Sequence, residues 1–262
     1  MKLMNMMSVG LVAGGVMMGV GCAGQELVKE GGPIAGVSGR DVLVDGFYAF
    51  YTSEEMTMDG VLDEEVWANA DEVPIKYVFA PEGFEGEVSQ TTAKLIWNDE
   101  YLIVGIECAD KDVRSHSEKH DDTLWDGDVA EFFVKPSEDG PRYTEIVIAP
   151  NGAYYDGAYN KRWKDNGAGG PGWESEAEIG TVVKGTDGDA SDDDEGYVVE
   201  FKVKLSKFTD GEPAKAGDVW RFGAFRYDFA KQWEKPLLLM NFEKSEKGFH
   251  YYEGYLPIRF VK

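Results

Sequence analysis

Basic side chains are scarce in this sequence of 262 residues: 26 Lys and Arg stand against 49 Asp and Glu, a formal charge of −23. That balance repels phosphate backbones and anionic headgroups, and no Lys/Arg cluster offsets it locally, which argues against a nucleic-acid partner. Cysteine is nearly absent. Cys22 and Cys108 alone supply no disulfide framework, and Cys108, following Leu102, Val104 and Ile106 at alternate positions, reads as a small buried hydrophobe. Helical periodicity is missing over any long stretch, which excludes a helical bundle. There is no Ser-His-Asp spacing, phosphate-cradling glycine loop or dinucleotide fingerprint. Glycoside hydrolysis needs two carboxylates held about 5–10 Å apart, and abundance of acids does not make such a pair. The chain reads as a non-enzyme.

What is present points to strands. The sequence has 32 Gly and, as Trp, Tyr and Phe, 7, 13 and 14 aromatic residues. Aromatics suit pleated, half-buried surfaces and glycines suit the turns between them, so an all-β fold is expected. Two hairpins stand out. Ala93–Trp97 and Tyr101–Cys108 flank Asn98-Asp99-Glu100, and Tyr143–Ala149 and Ala153–Tyr155 flank Pro150-Asn151-Gly152. Tyr197, Val199, Phe201, Val203 and Leu205 alternate with Val198, Glu200, Lys202 and Lys204, placing the first set in a core and the second largely in water. Val219–Asp228, Leu237–Phe242 and Tyr255–Val261 are further strands. One short helix is expected at Glu64–Ala70, with Asp63 as its N-cap. The acidic stretch Asp187–Gly196 fails the calcium-loop pattern, which wants Gly sixth and Glu twelfth where this chain has Asp192 and Val198. It reads as a solvated hairpin loop.

The first 21 residues carry one charge, Lys2, before an apolar run that ends in small residues at Cys22. This is the pattern of an export signal. Gly19-Val20-Gly21-Cys22 resembles a bacterial lipobox, with Gly where Leu is usual, which implies acylation of Cys22. Cleavage after Ala23 by a conventional signal peptidase is the alternative. Residues 22–40 have the composition of a tether, and 41–262 suit a single β-sandwich. The expected location is the bacterial cell envelope, with the membrane engaged through the lipid alone.

Several segments in one order resemble the family 9 carbohydrate-binding modules. They are Met58-Asp59-Gly60-Val61-Leu62-Asp63-Glu64-Glu65-Val66-Trp67, Ala93–Asp110, Leu124-Trp125-Asp126-Gly127-Asp128-Val129-Ala130-Glu131-Phe132-Phe133, the Pro150-Asn151-Gly152 turn, Gly196–Phe201, Trp220–Tyr227, and Phe249-His250 leading to Gly254-Tyr255. The resemblance implies an antiparallel β-sandwich, frequently with bound calcium, that holds sugars without cleaving them. It further implies two aromatic rings clamping a terminal sugar whose hydroxyls meet charged side chains. Trp125 takes the place of one ring and Glu131 that of a hydroxyl-binding carboxylate. Phe249 falls where the second ring, most often Trp, would stand, with Tyr251 or Tyr252 as substitutes. The strand that carries polar sugar contacts in the family reads Thr144-Glu145-Ile146-Val147-Ile148 here, a departure that points to a weaker or different ligand.

The ligand-binding set is therefore Trp125, Glu131, Phe249, His250, Tyr251 and Arg226. Glu131 and Arg226 each have a structural alternative as partners in a buried ion pair. Trp67, Trp97 and Trp220 are expected in the core, while Trp163, Trp173 and Trp233 sit in loop-like contexts. Asp121, Asp122, Asp126 and Asp128, with Asp110 and Asp112, offer hard oxygens suited to calcium. His116 and His120, four apart in a polar stretch, read as a solvated loop rather than a zinc site. The expected partners are an oligo- or polysaccharide end and, in the same setting, glycoside-degrading enzymes. Two other readings remain open: a structural or partner-binding envelope protein, and a b-haem subunit of a periplasmic dehydrogenase with His250 and Met240 as axial donors.

Overall fold

The structure, a computed structural model, describes residues 46–162, 172–209, 211–229, 231, 234–243 and 248–262. The export signal, Cys22, the tether, Trp163 and Trp233 lie outside the described residues.

Thirteen strands form one continuous hydrogen-bonded ladder among the described residues. They are β1 Phe47–Tyr51, β2 Glu72–Pro74, β3 Tyr77–Phe79, β4 Thr91–Trp97, β5 Tyr101–Ala109, β6 Val129–Lys135, β7 Tyr143–Ile148, β8 Tyr154–Tyr159, β9 Glu178–Lys184, β10 Gly196–Lys204, β11 Val219–Asp228, β12 Leu237–Met240 and β13 Leu256–Val261. The order runs β8-β7-β6-β11-β13-β1-β4-β5-β10-β9. The ladder curls so that its two halves face each other across one core. Ala130, Phe132, Val134, Ile146, Ile148, Phe222 and Ala224 from one half meet Leu95, Val104, Ile106, Val199, Phe201 and Val203 from the other. The fold is an all-β sandwich with little helix. Both expected hairpins form and are antiparallel, with Asn98 Oδ1 accepting the N–H groups of Glu100 and Tyr101 in the first turn.

Pairing is antiparallel with one exception. β1 runs parallel to both β13 and β4, joining the two halves. A strand at the start of a domain has no hairpin partner before it, so local sequence does not fix its direction. The expected helix at 64–70 is a 3-10 turn, Glu65–Asn69, and Glu64 rather than Asp63 occupies the cap position, without a side-chain cap.

Glu200 was expected in water and is buried. Its Oε2 accepts the N–H groups of Asp59 and Gly60, and its Oε1 accepts Trp67 Nε1–H, each at 3.2–3.3 Å. The segment 58–67 thus lies over the outer face of β10 and β9. The approach is close because Gly180, which pairs with Glu200 across β9 and β10, has no side chain: a Cβ there would stand 2.4 Å from the Met58 carbonyl group. Gly180→Ala forces two backbones apart, an overpacking change that costs about 1–3 kcal/mol. Urea denaturation checks this, and an unchanged midpoint would count against the clasp.

Candidate functional site

The half of the sandwich made by β6, β7, β8, β11 and β12 is buried on both faces. Alternation sends Ala130, Phe132 and Val134 of β6 into the main core, and leaves Val129, Glu131, Phe133 and Lys135 on the outer face. Cross-strand register then builds rows on that outer face. One row reads Phe225, Glu131, Val147, Tyr155; the next reads Gly223, Phe133, Glu145, Gly157. Over them folds the segment 249–255, closing a second apolar cluster of Phe133, Tyr143, Tyr159, Phe225, Leu238, Met240, Phe242, Phe249 and Tyr255.

Trp125 sits on the 3-10 turn Leu124–Asp126 at the border of this face. Its indole is half-buried and stands edge-on to Tyr155, ring centroids 5.5 Å apart. With half-buried Tyr227 it packs against Leu124, Val129, Val147, Ala149 and Tyr155. The ring is seated from one side and not sealed. The same turn supplies Asp126 and Gly127 to a cleft of about 640 Å³, lined also by Arg114, Ser115, His116, Phe229, Lys231 and Glu234. That volume lies within the usual range for small-ligand sites, roughly 300–1,000 Å³.

Glu131 and Glu145 are 3% and 6% exposed. Burial first, and the Glu145 charge second, push the Glu131 carboxyl well above the usual carboxylate range. Burial likewise raises Glu145, against a hydrogen bond from Tyr159 that favours its charged form. Glu145 Oε2 has no hydrogen-bond partner and lies 4.0 Å from His250 Nδ1, which in turn contacts Tyr143 Oη at 2.9 Å. Two buried acids thus share one face, and Glu145 Oε2 lies unpaired beside the His250 and Tyr143 rings.

The remaining expected residues fall in different places. His250 is half-buried against Phe133, Tyr143 and Tyr159. Tyr251 is half-buried with Arg162 over its ring at 5.2 Å, and the same guanidinium lies 5.3 Å over Tyr252. Phe249, the expected second clamp ring, is buried and stacks on Phe225 at 4.3 Å. Its faces serve the cluster, so Phe249 does not present a free ring, and the aromatic beside Trp125 that stays half-buried is Tyr227. Arg226 faces the opposite side of β11 from Glu131, and is fully buried with Asp110 Oδ2 at 2.6 Å. The expected Glu131–Arg226 pair does not form, because adjacent-strand partners share a face only when their register puts them there, and Glu131 pairs with Phe225. Met240 is buried beneath aromatic rings. Trp67, Trp97 and Trp220 are core residues, and Trp173 is half-buried beside Phe208.

The aspartates expected to hold calcium are not gathered. Asp122 accepts Ser117 Oγ–H and Thr123 N–H, Asp126 is exposed near His116, and Asp121 is exposed elsewhere on the loop. Asp128 instead joins Asp110 and Asp228 in a buried group whose ligand atoms lie within 4.8 Å of one another. Both Asp128 oxygens are engaged, by Arg114 N–H and Phe229 N–H, and Asp112 N–H and Arg226 take the two oxygens of Asp110. Positive charge there comes from Arg226, so this donor set fits an ion-pair network and not a calcium cage.

Sequence reading missed Glu145, Tyr155 and Tyr159. Part of the signal was available: extending the Pro150-Asn151-Gly152 hairpin residue by residue puts Glu145 and Val147 on one face with Tyr155 and Tyr159, while their meeting Glu131 depends on the β6–β7 register.

These features define a class, a β-sandwich with an aromatic border and buried acids on one outer face. The chain matches the family described as "Carbohydrate family 9 binding domain-like" over residues 58–235, and it belongs to that family. No curated protein matches it in sequence. A carbohydrate binding module family 9 from Caldicellulosiruptor kristjanssonii, solved in complex with cellotriose, shares the fold. It is 16% identical over 82% of this chain and 93% of its own, with a TM-score of 0.58. A carbohydrate binding module family 9 from the same organism, in complex with glucose, is 15% identical over 81% of this chain and 95% of its own, with a TM-score of 0.57.

Proposed function

We propose that this chain is a non-catalytic carbohydrate-binding domain, exported and held on a bacterial envelope by a lipid on Cys22. The observation that carries the reading is the half-buried Trp125 indole at the edge of the face that holds Glu131 and Glu145. Sugar C–H faces are apolar and stack on such a ring, while their hydroxyl rims need acceptors close by. Two solved relatives hold cellotriose and glucose, which supports gluco-oligosaccharides as the first ligands to try. A carbohydrate domain on an envelope brings glycoside-degrading enzymes to their substrate, and such enzymes are the partners this reading implies.

Calorimetric titration of the purified chain with glucose, cellobiose and cellotriose tests it. Saturable heat is expected, and Trp125→Ala is expected to weaken binding about five- to tenfold, as loss of roughly 1–1.5 kcal/mol of ring contact requires. Flat heats across a broad panel of mono- and oligosaccharides would remove the proposal. The anchor is tested separately. Cys22→Ser is expected to move the chain from the membrane fraction to the soluble fraction of the producing cell, and an unchanged distribution would refute lipidation.

A further inference from the structure

A second polar cluster lies apart from the Trp125 face, at the edge strand β8. His120 accompanies Asp156 and Glu174, with one ligand atom of each within 4.8 Å of the others. His120 Nε2 stands 3.2 Å from Glu174 Oε2 and 3.6 Å from Asp121 Oδ2. In a tetrahedral site with metal–ligand bonds of ~2.0–2.2 Å, ligand atoms stand roughly 3.4 Å apart, so these separations are those of ligands around one small ion.

Three further observations bear on it. His120 Nδ1 is 3.0 Å from the Tyr154 carbonyl oxygen, so the Nδ1–H donates there and Nε2 points at Glu174 Oε2, 3.2 Å away, where a proton bridges the two and a metal ion would replace that proton. Backbone anchoring of one imidazole nitrogen is the usual support for a metal-bound histidine. Asp121 is one of two non-glycine residues with positive φ among the described residues, at 62°, and its N–H donates to the same Tyr154 carbonyl. That conformation brings its carboxylate beside His120. Asp156 is fully buried, its Oδ2 takes both the N–H and the hydroxyl of Ser175, and its Oδ1 has no hydrogen-bond partner. A buried carboxylate oxygen without a partner carries an unmet desolvation cost, which a cation removes.

We propose that His120 Nε2, Glu174 and Asp156 Oδ1 bind a divalent transition metal of the zinc class, with Asp121 or water at the fourth position. One imidazole with carboxylates favours zinc-like ions over calcium, which takes six to eight oxygens. The ion would tie together the loop 115–123, strand β8 and the segment 172–177.

The test uses the full chain without an affinity tag, stripped with EDTA and titrated with zinc chloride by calorimetry, with melting followed in parallel. One zinc per chain is expected. At a hundredfold excess over Kd, the melting temperature is expected to rise by roughly 5–10 °C. Both His120→Ala and Glu174→Gln change exposed residues and are expected to leave folding intact, with circular dichroism as the check. Each is expected to weaken zinc binding at least tenfold. Absence of zinc binding by the parent chain would overturn the proposal, as would undiminished binding by His120→Ala. So would calcium producing the same shift with no dependence on His120.

Discussion

Replacing Arg226 with Ala is expected to destabilise the fold by about 3–5 kcal/mol, measured as a drop in the guanidinium denaturation midpoint. The guanidinium leaves β11, in one half of the sandwich, and crosses to the other. Nη1 donates to Thr91 Oγ1 on β4 at 2.9 Å and to the Ala109 carbonyl on β5 at 2.8 Å. Nη2 donates to Asp110 Oδ2 at 2.6 Å, with Asp228 Oδ1 at 3.5 Å, and the group lies 5.5 Å over the Tyr197 ring. Truncation removes a neutralising charge while three buried carboxylates, Asp110, Asp128 and Asp228, stay behind. The cost is mainly that of leaving those acids uncompensated, not the worth of the lost bonds. Such a loss is a large fraction of the ~5–15 kcal/mol that holds a typical domain folded. Arg226→Lys is expected to recover part of it, since an ammonium restores charge but has no planar fork to reach two strands at once. Sugar binding per folded molecule should not change in either variant, because Arg226 lies on the side of β11 away from Trp125. A stability loss below about 1 kcal/mol would show that the acids are neutralised some other way.

Much of the fold was legible because the main strands alternate. The Val219–Asp228 strand carries Trp220, Phe222 and Ala224 inward at every second position, and its bounds are those read from the sequence. The family resemblance added the order of segments. Reading failed where a residue's environment is made by a distant segment. Glu200 sits on the polar side of a plain alternating strand, and only the fold of residues 58–67 across it turns that side inward. Phe249 matched a position in a pattern, but whether a ring is a platform or a plug depends on what stacks on it, here Phe225. Arg226 shared a strand with core residues, which fixed its face, while its partners at 91, 109 and 110 lie more than a hundred residues away. The aspartates between 110 and 128 show the same limit. Their oxygen count suited calcium, but the loop directs most of them to separate backbone N–H and hydroxyl groups.

The outer face also predicts a pH signature. Glu131 and Glu145 both titrate upward on folding, Glu145 to about 7 from an ordinary value near 4.5. A carboxyl raised in the folded state binds more protons folded than unfolded across that window. Stability therefore falls as pH rises through it, by roughly 3 kcal/mol for a shift of this size, and the stabilisation present at pH 5 is lost by pH 8. Glu200, also raised to about 7 by burial, adds to the same slope, so the parent curve alone does not identify the pair. Glu131→Gln does. It removes a buried acid whose own raised titration disfavours the folded state as pH rises, and the variant is expected to be more stable than the parent at pH 8, nearly equal at pH 5, and flatter between. If Glu131 accepts sugar hydroxyls, the same variant binds cellotriose more weakly while standing up better to denaturant, the opposite signs that separate a functional acid from a structural one. A buried pair of acids that costs stability at neutral pH has no structural reason to persist, so loss of stability at pH 8 in Glu131→Gln would move these residues from the binding face to the scaffold.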